Sequence, residues 1–191
     1  MIYLASQSPR RKQLLEQLGV AFELLHVDVP EIRQRGESAD AYVTRVACEK
    51  ALAGLAAVRD RDKHAVVLGA DTEVVSNDRV FGKPRDAEDA KAMLRDLSGR
   101  THRVISTVWC VDAMRRESAA SISEVRFAEL TGAEIEEYVA TGEPFGKAGA
   151  YAIQGRGAAF IEHLSGSYSG VMGLPLHETA RLLRAFGVPP R

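Results

Sequence analysis

The sequence predicts a mixed α/β fold with a long central hairpin, and three observations carry that expectation. Short apolar runs alternate with helical patterns through the first half of the chain. His64–Ala70 is almost entirely apolar, as in a strand buried on both faces. Thr101–Ala113 and Ser118–Leu130 flank the polar stretch Met114–Glu117 and read as two long paired strands.

Taken in order, Ile2–Ala5 reads as a strand and Ser6–Ser8 as a hydroxyl-rich turn. Pro9 opens a helix that buries Leu14, Leu15 and Leu18 and stops at Gly19. Phe22–His26 is a second short strand, and Val27–Glu37 a polar loop. Ser38 caps a long helix reaching about Val58. The strand His64–Ala70 ends at Asp71-Thr72. Glu73–Ser76 and Arg79–Phe81 then flank Asn77-Asp78, a tight-turn pair. Asp86 caps a helix through Leu97, which Ser98-Gly99-Arg100 breaks. After the long strands come a short helix (Glu134–Ala140), a glycine-rich loop (Thr141–Gly157), a strand (Phe160–Leu164) and a small-residue loop (Ser165–Gly170). Pro175 opens a last helix that stops at Gly187. One domain over residues 1–191, folded as two lobes around a cleft, fits this order.

Composition narrows the function. The chain has 191 residues, 46% hydrophobic and 27% charged, the profile of a soluble globular protein. A net charge of −1 recommends no nucleic-acid partner. No apolar run approaches the length of a membrane span, and the N-terminus has no signal-peptide pattern. Cys48 and Cys110 sit in apolar patterns and read as buried free thiols in a reducing, cytoplasmic setting.

Candidate chemistry is concentrated in a few segments. Ser8 and Arg11 stand at a helix start, where free N–H groups, the helix dipole and guanidinium forks suit a phosphate. Asp71 follows the buried strand and can hold a metal or orient a water; it can equally start a turn. Lys83, in Gly82-Lys83-Pro84, is a compact cation suited to phosphate, while Lys50 and Glu31 each read as well as solvated charges. Gly146–Gly155 permits close backbone approach, and its Gln154 offers both donor and acceptor to a base edge. Gly142–Ala148 is not a P-loop, because its spacing is short and Ala148 stands where Ser or Thr is needed. Gly166–Gly170 is not a nucleophile elbow, because Tyr168 occupies the serine position. The five histidines show no metal-ligand spacing.

In order along the chain, Ser6-Gln7-Ser8-Pro9-Arg10-Arg11, Gly36-Glu37-Ser38, Glu49-Lys50-Ala51, Ala70-Asp71-Thr72, Gly82-Lys83-Pro84, Ser98–His102, Gly146–Gly155 and Gly166–Pro175 resemble the Maf family of nucleoside triphosphate pyrophosphatases. Each match alone is weak; the ordered set covers nearly the whole chain and is specific. The resemblance implies a Maf/ITPase-like α/β fold, a mixed sheet with flanking helices and two lobes around a central nucleotide cleft, commonly as a homodimer. It implies hydrolysis of a nucleoside triphosphate to monophosphate and pyrophosphate with a divalent cation, Mg²⁺ or Mn²⁺. By match, Asp71 is the proton acceptor and Arg11, Thr72 and Gln154 set substrate specificity. Ser8, Glu31, Lys50 and Lys83 match other cleft residues, and Ser8, Lys50 and Lys83 are the expected phosphate and substrate contacts. Magnesium takes one or two carboxylates beside phosphate and water, so Asp71 and Glu31 are the acids expected to hold the metal. Tyr151–Gly155 resembles the dTTP/UTP branch. The chain departs from the pattern at Pro30, Ala152 and Gly170, which bears on substrate preference more than on the reaction.

These roles make physical sense. The α-phosphorus is ringed by negative oxygens, so cations must offset charge before a nucleophile can approach. Two other readings fit the same residues: a sibling pyrophosphatase for 7-methyl-GTP or another noncanonical nucleotide, and a nucleotide-binding regulator of septum formation without required catalysis.

Overall fold

A computed structural model describes residues 1–190. The chain forms β1 (Ile2–Ala5), α1 (Pro9–Gln17), β2 (Phe22–Leu25), α2 (Ala39–Val58), β3 (Val66–Ser76), β4 (Arg79–Phe81) and α3 (Ala87–Leu97). There follow β5 (Thr101–Val111), β6 (Arg116–Phe127), α4 (Gly132–Ala140), β7 (Ile161–Ser165), α5 (Tyr168–Met172) and α6 (Leu176–Ala185). Two 3-10 turns, Ala148–Ala150 and Arg156–Phe160, lie between α4 and β7. The strands form one seven-stranded sheet in the order β2-β1-β3-β5-β6-β7, with β4 hydrogen-bonded to β3. β1 runs parallel to β2 and β3, and the other pairs are antiparallel, so the sheet is mixed.

Local chemistry sets the boundaries. Ser8, Ser38, Asp86 and Thr131 each cap a helix by accepting from a backbone N–H of its first turn. Asn77 and Asp78 take positive φ (49° and 61°) in the turn that the Asn-Asp pair predicted. Helix α2 covers one face of the sheet through Val43, Val46, Ala47 and Ala51. The main core lies on the other face, where Leu14, Leu15, Leu94, Leu97, Ile135, Leu182 and Leu183 surround Leu4, Leu68, Val108 and Phe127. Each such buried aliphatic or aromatic side chain contributes about 1.5–3 kcal/mol.

The structure corrects three expectations. β3 does not stop at Ala70 but runs unbroken to Ser76, because β5 pairs with it from Val67 through Val75. Asp71 is therefore a mid-strand residue and starts no turn. The stretch read as the loop Ser165–Gly170 contains the start of α5, a single turn too short to show periodicity. Cys48 is partly exposed, whereas Cys110 is buried as expected; both are free.

One feature of the topology makes the cleft. β1 accompanies β3 only as far as Leu68, and β4 joins it only from Val74. Between them the edge of β3 that carries Asp71, Thr72 and Glu73 has no strand neighbour. The chain leaves β1 at Ala5 and turns into α1, so a helix N-terminus faces this notch. Ligands in open α/β sheets bind where neighbouring strands diverge in this way.

Candidate active site

The notch opens into a cleft of about 980 Å³. Ser8, Arg11, Glu31, Lys50, Asp71, Thr72, Lys83 and Gln154 all line it, although the sequence scatters them over nearly 150 residues. Every predicted site residue thus reaches one cavity.

Its floor is a chain of charges. The Lys50 ammonium donates to Asp71 Oδ1 at 2.8 Å and to Glu31 Oε1 at 2.5 Å. Lys83 donates to the other Glu31 oxygen at 2.7 Å. Lys50 and Asp71 are buried, and only 10% and 6% of their side chains is exposed, so water screens this pair poorly. Glu31 keeps a third of its side chain exposed. Burial raises its pKa, but the hydrogen bonds and charges of Lys50 and Lys83 outweigh that and pull it down to about 2. Lys50 is held at this point by helix α2 lying very close to β3. Gly69 makes that approach possible: a Cβ there would meet Ala51 N at 2.4 Å and Ala47 O at 2.5 Å.

On the opposite face of β3, Thr72 joins a second network. Arg11 Nε donates to Gly173 O at 2.8 Å, and its other nitrogens reach Ser6 Oγ and Thr72 Oγ1 at 3.4 Å. Ser106 donates to Gly170 O at 2.6 Å and therefore accepts the Thr72 proton at 2.7 Å. Thr72 keeps only a lone pair for a ligand. The short helix α5 ends at Gly173, whose φ of 125° turns the carbonyl toward Arg11 and Thr72. The unexpected α5 is thus what fixes these two residues.

Gln154 is exposed at the rim, on a loop that its neighbours hold rigidly. Glu143 accepts from Arg156 N and Gly157 N at 3.0 Å each, and from the Tyr138 hydroxyl at 2.8 Å. That hydroxyl in turn accepts from Ala152 N at 3.1 Å. Burial raises the Glu143 pKa, yet these donors outweigh it and the net shift is downward. Behind the loop, Tyr151 bonds the buried His102 ring at 2.9 Å, and both pack edge-on against Phe127.

The family model for "Maf-like protein" matches residues 1–186 of this chain. The chain belongs to the Maf family. This Maf chain is 62% identical over 188 residues to a protein of Xanthomonas axonopodis pv. citri named dTTP/UTP pyrophosphatase, covering 98% of this chain and 99% of that one. It is 54% identical to a protein of the same name from Aromatoleum aromaticum, covering 98% and 96% of the two chains. It is also 54% identical to a Xylella fastidiosa protein named nucleoside triphosphate pyrophosphatase, covering 97% and 98%.

Sequence reasoning missed Glu73. Asp71 and Glu73 share a face of β3 because strand side chains alternate. Glu73 also lines the cleft and is 7% exposed. Burial, then the nearby charges of Asp71 and Glu31, push its carboxyl up to about 8, against the pull of Lys83 and Lys50. The signal was present as an acidic residue two places after Asp71. The apolar run ends at Ala70 in the sequence, which hides that the strand continues through Glu73. The Glu143–Tyr138 clamp was missed because it joins a helix to a loop, and no local pattern encodes such a contact.

The donor set fits a divalent cation. Asp71 Oδ2 and Glu73 Oε2 are buried and have no hydrogen-bond partner, an arrangement that normally calls for an ion or water. No group of three or more His, Cys, Asp or Glu residues with metal-site geometry occurs among the described residues. Magnesium-type sites need only one or two carboxylates when substrate phosphates and waters complete the shell. No helix among the described residues is long and apolar enough to cross a membrane.

Proposed function

We propose that this Maf protein hydrolyses dTTP and UTP to the monophosphate and pyrophosphate. The observation that carries this reading is the shared cleft, with the Asp71–Lys50–Glu31–Lys83 chain at its floor and the Gln154 loop at its rim. The names of relatives more than 50% identical over nearly the full chain support the same substrates.

Asp71 accepts the proton of the attacking water. Its Oδ1 is oriented by Lys50, and Oδ2 is left free to take up that water or a cation. Lys50 and Lys83 move from Glu31 to the phosphates as substrate enters, trading one anionic partner for another of higher charge. Arg11 adds a guanidinium at the start of α1, where backbone N–H groups also face the cleft. Asp71 Oδ2 would hold a Mg²⁺ or Mn²⁺, which would neutralise phosphate charge and lower the pKa of a water. Gln154 reads the pyrimidine edge with one donor and one acceptor, and Thr72 offers its remaining lone pair. A site built to pair polar edges rejects the wrong base because its own groups are left unpaired. Homodimerisation belongs to the same reading, and the partly exposed Cys48, Leu52 and Trp109 supply apolar surface for it; light scattering at the column exit measures it.

The test is pyrophosphate release from dTTP, UTP, dCTP, CTP, GTP, 7-methyl-GTP, ITP and ATP with Mg²⁺ or Mn²⁺. Turnover concentrated on dTTP and UTP, and lost in folded Asp71→Asn, is the expected result. Preference for a purine nucleotide would overturn the base assignment. Equal turnover by Asp71→Asn would overturn the catalytic one. Gln154→Glu is expected to lower the UTP-to-GTP ratio of kcat/KM by about tenfold or more, the scale of one lost hydrogen-bonded pair.

A further inference from the structure

We propose that Asp71 and Glu73 together seat the divalent cation, and that Glu31 stands outside this seat as the residue that parks Lys50 and Lys83. This rests on the pyrophosphatase reading above and departs from the Asp71–Glu31 pairing expected from the sequence.

The argument starts from which oxygens are free. Both Glu31 oxygens are taken, one by each lysine, at 2.5 and 2.7 Å. Asp71 has one oxygen on Lys50 and one, Oδ2, with no partner. Glu73 Oε2 is likewise buried and unpartnered, and no side chain or backbone group bonds the carboxyl. The two orphan carboxyl groups lie two residues apart on one face of β3, about 7 Å between their Cβ atoms in an extended strand. A cation that takes oxygens at about 2.1 Å can bridge side chains of these lengths. Alternatives to a cation are poor here. Thr72 bonds Ser106 on the other face and Arg11 is engaged by Gly173 O, Ser6 and Thr72, so neither bonds the free oxygens of the two acids.

Substrate binding sharpens the need. When a triphosphate draws Lys50 and Lys83 onto its oxygens, Asp71 loses its Lys50 partner while Glu73 has none to begin with. Two close, buried carboxyl groups then face the phosphates with no side-chain partner, and a divalent ion beside them would satisfy both. Glu31 sits farther out, with 33% of its side chain exposed, and tolerates the departure of the lysines.

Electron paramagnetic resonance of Mn²⁺ tests this without catalysis. Mn²⁺ affinity is measured in the presence of α,β-imido-dUTP, which cannot release pyrophosphate, for wild type, Asp71→Asn, Glu73→Gln and Glu31→Gln. Glu73→Gln and Asp71→Asn are each expected to weaken Mn²⁺ binding about tenfold or more, and Glu31→Gln about threefold or less. Glu73→Asp, which keeps the charge but withdraws it by one methylene, is the second variant should the neutral one not fold; it is expected to lose several-fold. Wild-type affinity in both Glu73 variants overturns the proposal, as does a loss in Glu31→Gln equal to that in Glu73→Gln. Pyrophosphate release by wild type from dTTP, measured beside these, separates the two readings. An active enzyme whose Mn²⁺ affinity ignores Glu73 defeats only the Glu73 assignment. An enzyme inactive on every nucleotide defeats the pyrophosphatase reading itself.

Discussion

The floor and the rim of the cleft differ in how their polar atoms are partnered. At the floor, Lys50 is divided between Asp71 and Glu31, and Asp71 Oδ2 and Glu73 Oε2 have no partner at all. At the rim, Glu143 collects two backbone N–H groups and a tyrosine hydroxyl, and the same hydroxyl accepts a third N–H of the loop. The floor consists of charges that can be redistributed when a highly charged ligand enters. The rim has its backbone donors matched, so the loop bearing Gln154 holds one shape. Hydrolysis needs the first arrangement, since catalytic groups must interact more strongly with the transition state than with one another. Discrimination between bases needs the second, since a hydrogen-bonding edge selects only if it is held in place.

The largest effect should come from the floor. Asp71→Asn removes the proposed proton acceptor while keeping the size of the side chain, and the amide still bonds Lys50 poorly. Turnover is expected to fall by about 10²–10⁴ with the far-ultraviolet spectrum unchanged. Its base preference, read from residual activity or from binding of imido-nucleotides, should stay near wild type. A shift in preference as large as the loss of turnover would mean that floor and rim are one unit.

The converse substitution is Glu143→Gln at the rim. Its amide presents an N–H group to Arg156 N or Gly157 N, so one of these two donors loses its acceptor, costing about 1 kcal/mol of stability. The dTTP-to-GTP ratio of kcat/KM is expected to fall about tenfold, while kcat on dTTP falls less. Tyr138→Phe, which leaves Ala152 N without its acceptor and takes one donor from Glu143 while keeping both backbone N–H bonds to it, should do the same to a smaller degree. An unchanged ratio in both variants, with the stability loss present, would show that the clamp serves folding and leaves Gln154 unaffected.

The two regions were also unequally legible in the sequence. The strand–turn–helix at residues 2–17, the helix caps and the Asn77-Asp78 turn are local, and periodicity with a few cap residues reveals them. Asp71, Lys50, Lys83 and Glu31 are seen to converge only once order along the chain is matched to a family, because nothing local brings residues 31, 50, 71 and 83 together. Glu73 was hidden by a wrong strand end. β3 is continued past Ala70 by its pairing with β5, and that partner lies some 30 residues downstream. The Glu143–Tyr138 clamp and helix α5 depend on tertiary contacts and on a single helical turn, and neither leaves a pattern to count.

A smaller effect separates the regions by pH. His102 is 2% exposed behind the rim, its Nε2 on Tyr151 and its Nδ1 without a partner. Burial pulls its pKa down to about 4 from the ordinary 6.5. Between those values the unfolded chain binds a proton that the folded chain refuses. Stability therefore falls as pH drops from about 6.5 to about 4, and levels off for this group below that. The full shift sets a ceiling of about 3 kcal/mol, and relaxation of the site brings the expectation nearer to 1–2 kcal/mol. Glu31 acts in a lower window, because its depressed pKa contributes stability that is lost only as pH falls from about 4.5 toward about 2. Urea unfolding of wild type and His102→Phe at pH 7 and pH 4.8 isolates the histidine. The phenylalanine variant lacks the Tyr151 bond at both pH values, so that cost cancels in the difference. Wild type should lose the extra 1–2 kcal/mol on acidification and the variant should not. Base discrimination, which depends on the loop that Tyr151 supports, should weaken in wild type over the same interval. Equal acid sensitivity in the two proteins would place the pH response in the charges of the floor and remove His102 from it.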